Sequence, residues 1–175
     1  MTRTLIITNT SDIAPTRVLG DKISILADNS QTGSYEVYVY NATEGAGPPP
    51  HSHPWDEAIY VIQGSVDINC DGLEATLTAG GFVNIPADMV HSFRKTSPTA
   101  QVLCICSGKG ATKMLTALDR ECSDSPKMEN ILSVLERNDV SVVMQPARHP
   151  TDITHTLDEL RLAWGGDTRQ QSWPF

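Results

Sequence analysis

Residues 45–57 read Gly45-Ala46-Gly47-Pro48-Pro49-Pro50-His51-Ser52-His53-Pro54-Trp55-Asp56-Glu57, and Gly64 follows after six more residues. On an extended strand successive side chains alternate between the two faces, so His51 and His53 present both imidazoles to one side and can share a metal ion. Glu57 has the same odd parity, and a chain that stays extended past Pro54 brings its carboxylate to that side as well. His91, which opens an alternating Ser92-Phe93 pattern, closes the set from another strand. Three imidazole nitrogens and one carboxylate oxygen suit a single divalent transition ion: iron, manganese, nickel, cobalt, copper or zinc. A His-x-His pair alone is a weak signal, so its surroundings carry the weight.

Those surroundings are short β-type runs separated by Gly, Pro, Asn and Asp, the clearest spanning 22–27, 34–40, 57–63, 65–70, 73–77 and 101–106. Such a density of short strands predicts a sandwich or a small barrel. Asp71-Gly72, set between two alternating apolar runs, predicts a tight type I′ hairpin. After Gly108 the apolar period changes from 2 to 3.6, which predicts a helix over 111–119. A second helix has Ser125 as its cap, Pro126 in its first turn, and Met128, Ile131, Leu132 and Leu135 as its buried face. A third is predicted from Thr156 to Trp164, where Thr156 with Glu159 forms a capping box and Gly165-Gly166 stops the helix. A short strand is expected at 140–143. The reading is therefore a β unit over 1–108 and a helical extension over 109–175, packed on the outside or the mouth of the β unit.

The histidine segment fits the pattern G-x5-H-x-H-x3-E-x6-G from Gly45 to Gly64, and so resembles the first motif of the cupin superfamily at every fixed position. Gly80-x5-Pro86-x-Asp88-x2-His91-x3-Lys95 is similar to the second motif, with Asp88 in place of a glycine and Lys95 in place of an asparagine. Asp is among the few residues that tolerate a left-handed turn, and neither departure touches the four ligands. The resemblance covers roughly residues 33–107. It implies an all-β cupin double-stranded β-helix (a jelly-roll barrel of six to eight strands) with the metal inside, commonly as a dimer, here with C-terminal helices. The layout of one barrel followed by helices and a short strand looks like the small single-domain relatives of quercetin dioxygenase.

The full chain has 175 residues, enough to bury roughly 70% of its surface without staples. Its longest unbroken apolar runs are five residues, against about 20 for a membrane helix. The net charge of −8 has the wrong sign for following phosphates, so nucleic acid and membrane are poor partners. Only Leu5, Ile6 and Ile7 follow the polar start, too short for a secretory h-region, and the expected location is cytoplasmic. Cys70, Cys104, Cys106 and Cys122 form no paired Cys-x-x-Cys and read as small core hydrophobes. The same apolar run at Leu5–Ile7 is the expected pairing strand of a homodimer, because an antiparallel barrel leaves an edge to be covered.

Around the metal set, Ile59 and Phe93 stand two residues from a ligand and should line the substrate pocket. Tyr38 joins them as a pocket residue, although the alternation of Tyr38 and Tyr40 with Val37 and Val39 leaves open which pair faces inward. Trp55 reads as a loop anchor, and His149 and His155 as solvated side chains. Glu57 is the candidate catalytic residue, a ligand that also takes a proton from the substrate. The leading functional reading is a metal-dependent, dioxygenase-like oxygenase acting on a small apolar or aromatic enol, resembling flavonol-cleaving cupins. Two alternatives use the same residues: a metal-dependent isomerase, cyclase or decarboxylase, and a small-molecule-binding cupin without turnover. A sugar-nucleotide isomerase is disfavoured, because no basic cluster stands near the motifs to hold a pyrophosphate.

Overall fold

The structure, a computed structural model, describes residues 3–43, 45–123 and 126–143. Along the chain come β1 (Thr16–Val18), β2 (Asp21–Ala27), α1 (Asn29–Thr32), β3 (Tyr35–Thr43), β4 (His51–Ser52) and β5 (Glu57–Gln63). They are followed by β6 (Ser65–Cys70), β7 (Leu73–Thr78), β8 (Phe82–Ile85), β9 (His91–Lys95), β10 (Thr99–Ser107), α2 (Ala111–Cys122), α3 (Met128–Glu136) and β11 (Ser141–Val142). The strands form two antiparallel sheets, ordered β1-β2-β3-β10-β5-β8 and β11-β4-β9-β6-β7. This is the cupin fold that the two motifs implied, with its two sheets not closed into a continuous barrel.

Alternation along the strands makes the core. On β9, His91, Phe93 and Lys95 are buried; on β10, Ala100, Val102, Cys104 and Cys106; on β5, Glu57, Ile59 and Val61. Of the two tyrosine–valine sets on β3, the inward one is Tyr38 and Tyr40, which join the core cluster with Ile23, Ile68 and Phe93. The cysteines are free, and three of them are buried.

Two turns depend on backbone conformations that most residues avoid. Asp71 and Gly72 both have positive φ (49° and 83°) and close the β6–β7 hairpin at Cys70 and Leu73, as the dipeptide predicts. Gly64, at φ 79° between β5 and β6, lies so close to Ser97 and Thr99 that a Cβ there would collide with both. That contact accounts physically for the last glycine of the first motif.

The helices differ from expectation in detail. α2 runs three residues beyond the predicted end, to Cys122, and its start is capped from another element. The buried Glu36 of β3 accepts hydrogen bonds from the Gly110 and Thr112 amides (3.2 and 3.1 Å) and from the Thr112 hydroxyl. A carboxylate at a helix N-terminus satisfies orphan amides and complements the helix dipole. α3 begins at Met128 after Lys127, which makes no side-chain cap. Its buried face is Ile131, Val134 and Leu135, while Leu132 is exposed because that flank of the helix faces solvent. Ser125, the third predicted helix, His149 and His155 lie outside the described residues. Leu5–Ile7 forms no strand: the Thr4 amide donates to Gln31 O, and Leu5 and Ile7 stand 84% and 88% exposed. None of the described helices is long and apolar enough to cross a membrane.

The extension covers the mouth of the sandwich. α2 packs on β1 and β3, and α3 packs on α2. The chain then returns as β11 to pair with β4, Val142 opposite His51 and Ser141 opposite Ser52.

Candidate metal centre

His51 on β4 is the direct antiparallel partner of His91 on β9, which joins two residues far apart in sequence on one face of one sheet. Their ring centroids are 4.3 Å apart. His53 lies just past β4, its ring 4.8 Å from that of His91 and stacked on Trp55 at 4.3 Å. One donor nitrogen from each of the three rings lies within 4.8 Å of the others.

Glu57 reaches the cluster by a different route from the one its parity suggested. The chain does not stay in one strand past Pro54. It crosses to the opposite sheet, where Glu57 opens β5 and faces the histidines across the interior. The crossing is pinned by the Asp88 amide on His53 O (2.8 Å), the Ala87 amide on Asp56 Oδ1 (3.0 Å) and the Asp56 amide on Ser107 Oγ (2.9 Å). Asp88, at φ 65°, takes the left-handed conformation expected at the glycine position of the second motif. Glu57 Oε2 ends 3.3 Å from His53 Nε2 and 3.4 Å from His91 Nε2.

Hydrogen bonding fixes which nitrogen of each ring faces inward. The Nδ1 atoms of His51, His53 and His91 lie 3.0, 2.9 and 2.9 Å from the carbonyl oxygens of Pro49, Trp55 and Met89. A carbonyl only accepts, so each Nδ1 carries a proton, and Nε2, which bears the lone pair whenever the ring is neutral, is the atom turned toward the cluster. Lone pairs and a carboxylate converging in a buried space repel one another unless a cation lies among them. His91 Nε2 is buried without a hydrogen-bond partner among the described residues. Donors about 2.1 Å from a common ion stand about 3.0 Å apart at right angles and about 3.4 Å apart in a tetrahedron, close to the separations from Glu57. The residues therefore fit one divalent transition ion.

The pKa directions express the same demand for positive charge beside Glu57. Burial, reinforced by the charge of His91, lowers the His51 pKa to about 3, so this ring stays neutral and free to ligate. His91 is raised, because the Glu57 carboxylate and its Met89 carbonyl outweigh burial. Burial acts to raise Glu57, but the facing His53 and His91 imidazoles overcome it and hold the carboxyl well below the usual range. Replacing any one of His51, His53 and His91 by Ala is expected to lower metal content sharply, by more than the 10–100-fold in affinity that loss of an outer-shell partner costs. Elemental analysis of protein purified without added metal checks this, with His149→Ala and His155→Ala unchanged. A full equivalent of metal in both His51→Ala and His91→Ala would refute the assignment.

The centre faces a cavity of about 80 Å³, partly open to solvent, lined by Tyr38, Tyr40 and Phe93 from the sheets, by Trp55 from the β4–β5 connection and by Met114, Leu115 and Leu118 from α2. The Tyr38 hydroxyl donates to Glu57 Oε1 (2.9 Å). Ile59, expected on the wall, is instead wholly buried in the core. It lies one step further along the inner face of β5 than Glu57, between Cys104 and Val83 in register, where the sheets close together. Trp55 is both the anchor and the platform on which His53 stacks, and the ring fills the space at Gly110. Sequence reasoning left the orientation of Tyr40 open and did not find Asp21 or the α2 side chains as cavity residues. Lys95 did carry a signal, as the departure from the second motif, but its place in the interior was not evident.

The cupin domain family matches residues 38–107. A quercetin 2,3-dioxygenase of Bacillus subtilis (strain 168) is 32% identical over 76 residues, which are 42% of this chain. The matched part spans only 23% of that relative's length. KdgF from Halomonas sp. superposes with a TM-score of 0.52 at 23% identity, covering 61% of this chain and 94% of that one. An RmlC-like cupin from Shewanella frigidimarina NCIMB 400 has a TM-score of 0.55 at 19% identity, with the same coverages. The polyketide cyclase RemF from Streptomyces resistomycificus has a TM-score of 0.51 at 22% identity, covering 59% and 80%. At these identities the structural likenesses are likenesses of fold.

Proposed function

Since the chain belongs to the cupin superfamily, we propose that it is a metal-dependent oxygenase of small, largely apolar enols, flavonol-type compounds among them. One observation carries the reading: His51, His53 and the tyrosine-held carboxylate of Glu57, with His91 buried beside them, open onto a cavity whose other walls are mostly apolar. His51, His53, His91 and Glu57 would hold the ion, which when bound supplies a positive charge that lowers the pKa of an oxygen acid beside it.

The remaining work falls to the protein. Glu57 has one oxygen toward the histidines and the other on the Tyr38 hydroxyl, so a small rotation of the carboxylate reaches a substrate hydroxyl without dismantling the cluster. Tyr38 orients that carboxylate, and as a donor it stabilises the charge there until the proton arrives. Trp55 fixes the plane of the His53 ring. Phe93, Leu115 and Leu118 exclude water from the cavity, which protects a reactive carbanion from reprotonation by solvent. The 32% identity to a quercetin dioxygenase supports the substrate class. A homodimer belongs to the same proposal, supported by the exposed Leu5 and Ile7.

An oxygen electrode with metal-loaded protein and a panel of flavonols and simple enols tests the reading. Oxygen uptake matched to loss of the enol, absent with His91→Ala, is the expected result. Loss of the enol without oxygen uptake would replace it by isomerase, cyclase or decarboxylase chemistry. Tight binding with no turnover would leave a binding protein.

A further inference from the structure

β3 sends two consecutive inward tyrosines into the cavity, and each gives its hydroxyl to a different carboxylate. Tyr38 donates to Glu57 at the metal centre; Tyr40, one step along the same face, donates to Asp21 at the start of β2. Tyr38, Tyr40, Glu57 and Asp21 all line the one cavity. Two residues of strand separate the tyrosines by about 7 Å, the scale of one or two fused six-membered rings. Between the poles the walls are apolar, with Ile23, Phe93 and Leu115 among them.

The second pole has unused hydrogen-bonding capacity. Asp21 Oδ2 accepts from Tyr40, while Oδ1 accepts from no side chain among the described residues. Behind Tyr40 stands Lys95, 1% exposed, with Nζ 3.2 Å from the centroid of the Tyr40 ring and no hydrogen-bond partner among the described residues. Burial raises the Asp21 pKa, opposed by the charge of Lys95 and by the Tyr40 hydrogen bond, and a carboxyl oxygen free at the wall of a mostly apolar cavity is a hydrogen-bond site for a ligand.

We infer that Asp21, oriented by Tyr40, is a second substrate-binding residue, which accepts a hydrogen bond from a hydroxyl at the end of the ligand remote from the metal centre. The inference rests on the proposed function for its ligand class and deepens it: the preferred substrate is a planar enol with a further hydroxyl across the ring system, not a bare hydrocarbon enol. A hydrogen bond to a charged acceptor in such a site is worth roughly 10- to 100-fold in affinity, and an analogue without the hydroxyl forfeits it.

The test is calorimetric titration of the full chain, under anaerobic conditions, with 3-hydroxyflavone and a series bearing one added hydroxyl at successive ring positions. The expected result is that one member binds roughly 10- to 100-fold more tightly than the parent, and that Asp21→Asn reduces the preference to within a few-fold with metal content unchanged. Should Asp21→Asn not fold, Asp21→Glu, which moves the oxygens by one methylene, is expected to change which position is preferred. Equal affinity across the series, no binding of any member, or a preference untouched by these variants would overturn the inference. Oxygen uptake is read separately. A preference that depends on Asp21 without oxygen uptake sinks the oxygenase and leaves the second pole standing; oxygen uptake without a preference does the reverse.

Discussion

Glu57→Gln is expected to lower the rate per bound metal by about 10²- to 10⁴-fold, the usual cost of removing a general base. The amide keeps the shape of the side chain and one oxygen, so it can still face His53 and His91 and accept from Tyr38. It loses the unit of charge and the basicity. Because the charge also helps to hold the ion, occupancy falls as well, and the rate must be divided by metal content measured on the same sample. Tyr38→Phe provides the contrast. It removes the hydroxyl that orients Oε1 while leaving the base, so a smaller loss is expected than for Glu57→Gln. A normalised rate for Glu57→Gln within a few-fold of the parent would reduce Glu57 to a ligand and favour chemistry that needs no base there.

Lys95→Met is expected to stabilise the protein by about 2–4 kcal/mol below pH 7, or roughly 5–15 °C in Tm. The amine is almost completely buried above the Tyr40 ring, and burial lowers its pKa to about 7, with the attraction of Asp21 opposing but not cancelling the shift. An unfolded lysine titrates near 10.4. Between about pH 7 and pH 10 the unfolded chain therefore binds more protons than the folded one, and stability contributed through this group rises with pH. Methionine has a similar length and no charge, so it removes that slope; its advantage is greatest at and below pH 7 and shrinks toward pH 10. Against the gain stands the lost cation–π contact with Tyr40, roughly 0.5–2 kcal/mol, and the lost charge partner of Asp21. Urea unfolding of both proteins at pH 6 and pH 10 gives the comparison. A variant less stable than its parent at pH 6 would mean that the ammonium is held by more than an aromatic face.

The predicted strands at 57–63 and 65–70 match β5 and β6 to the residue, and the Asp71-Gly72 turn is where it was expected, because alternation and positive φ are local demands. β1, β8 and α1 are three or four residues long and were not anticipated, since so few residues show no period. The candidate donors were readable for a related reason: metal chemistry restricts the donor types, and two donors two residues apart share a strand face whatever surrounds them.

Other features depend on which strands become neighbours, and no local pattern encodes that. Glu57 has the right parity, but it reaches the histidines by crossing between sheets, and its partner Tyr38 belongs to a strand 19 residues earlier. The start of α2 is satisfied by Glu36, 76 residues upstream of Thr112, so capping at that end is a tertiary contact with no sequence signature. Lys95 is only a departure from the second motif until the inner face of β9 buries it, and Asp21 becomes a cavity residue only when β2 pairs with β3 and Tyr40 turns inward. Residue type and spacing were enough to specify the cupin fold and to name three histidines and a glutamate that the fold brings together. The tautomers of the rings, the covered mouth and the second polar pole come from long-range packing, because each depends on an atom supplied by a distant or non-periodic part of the chain.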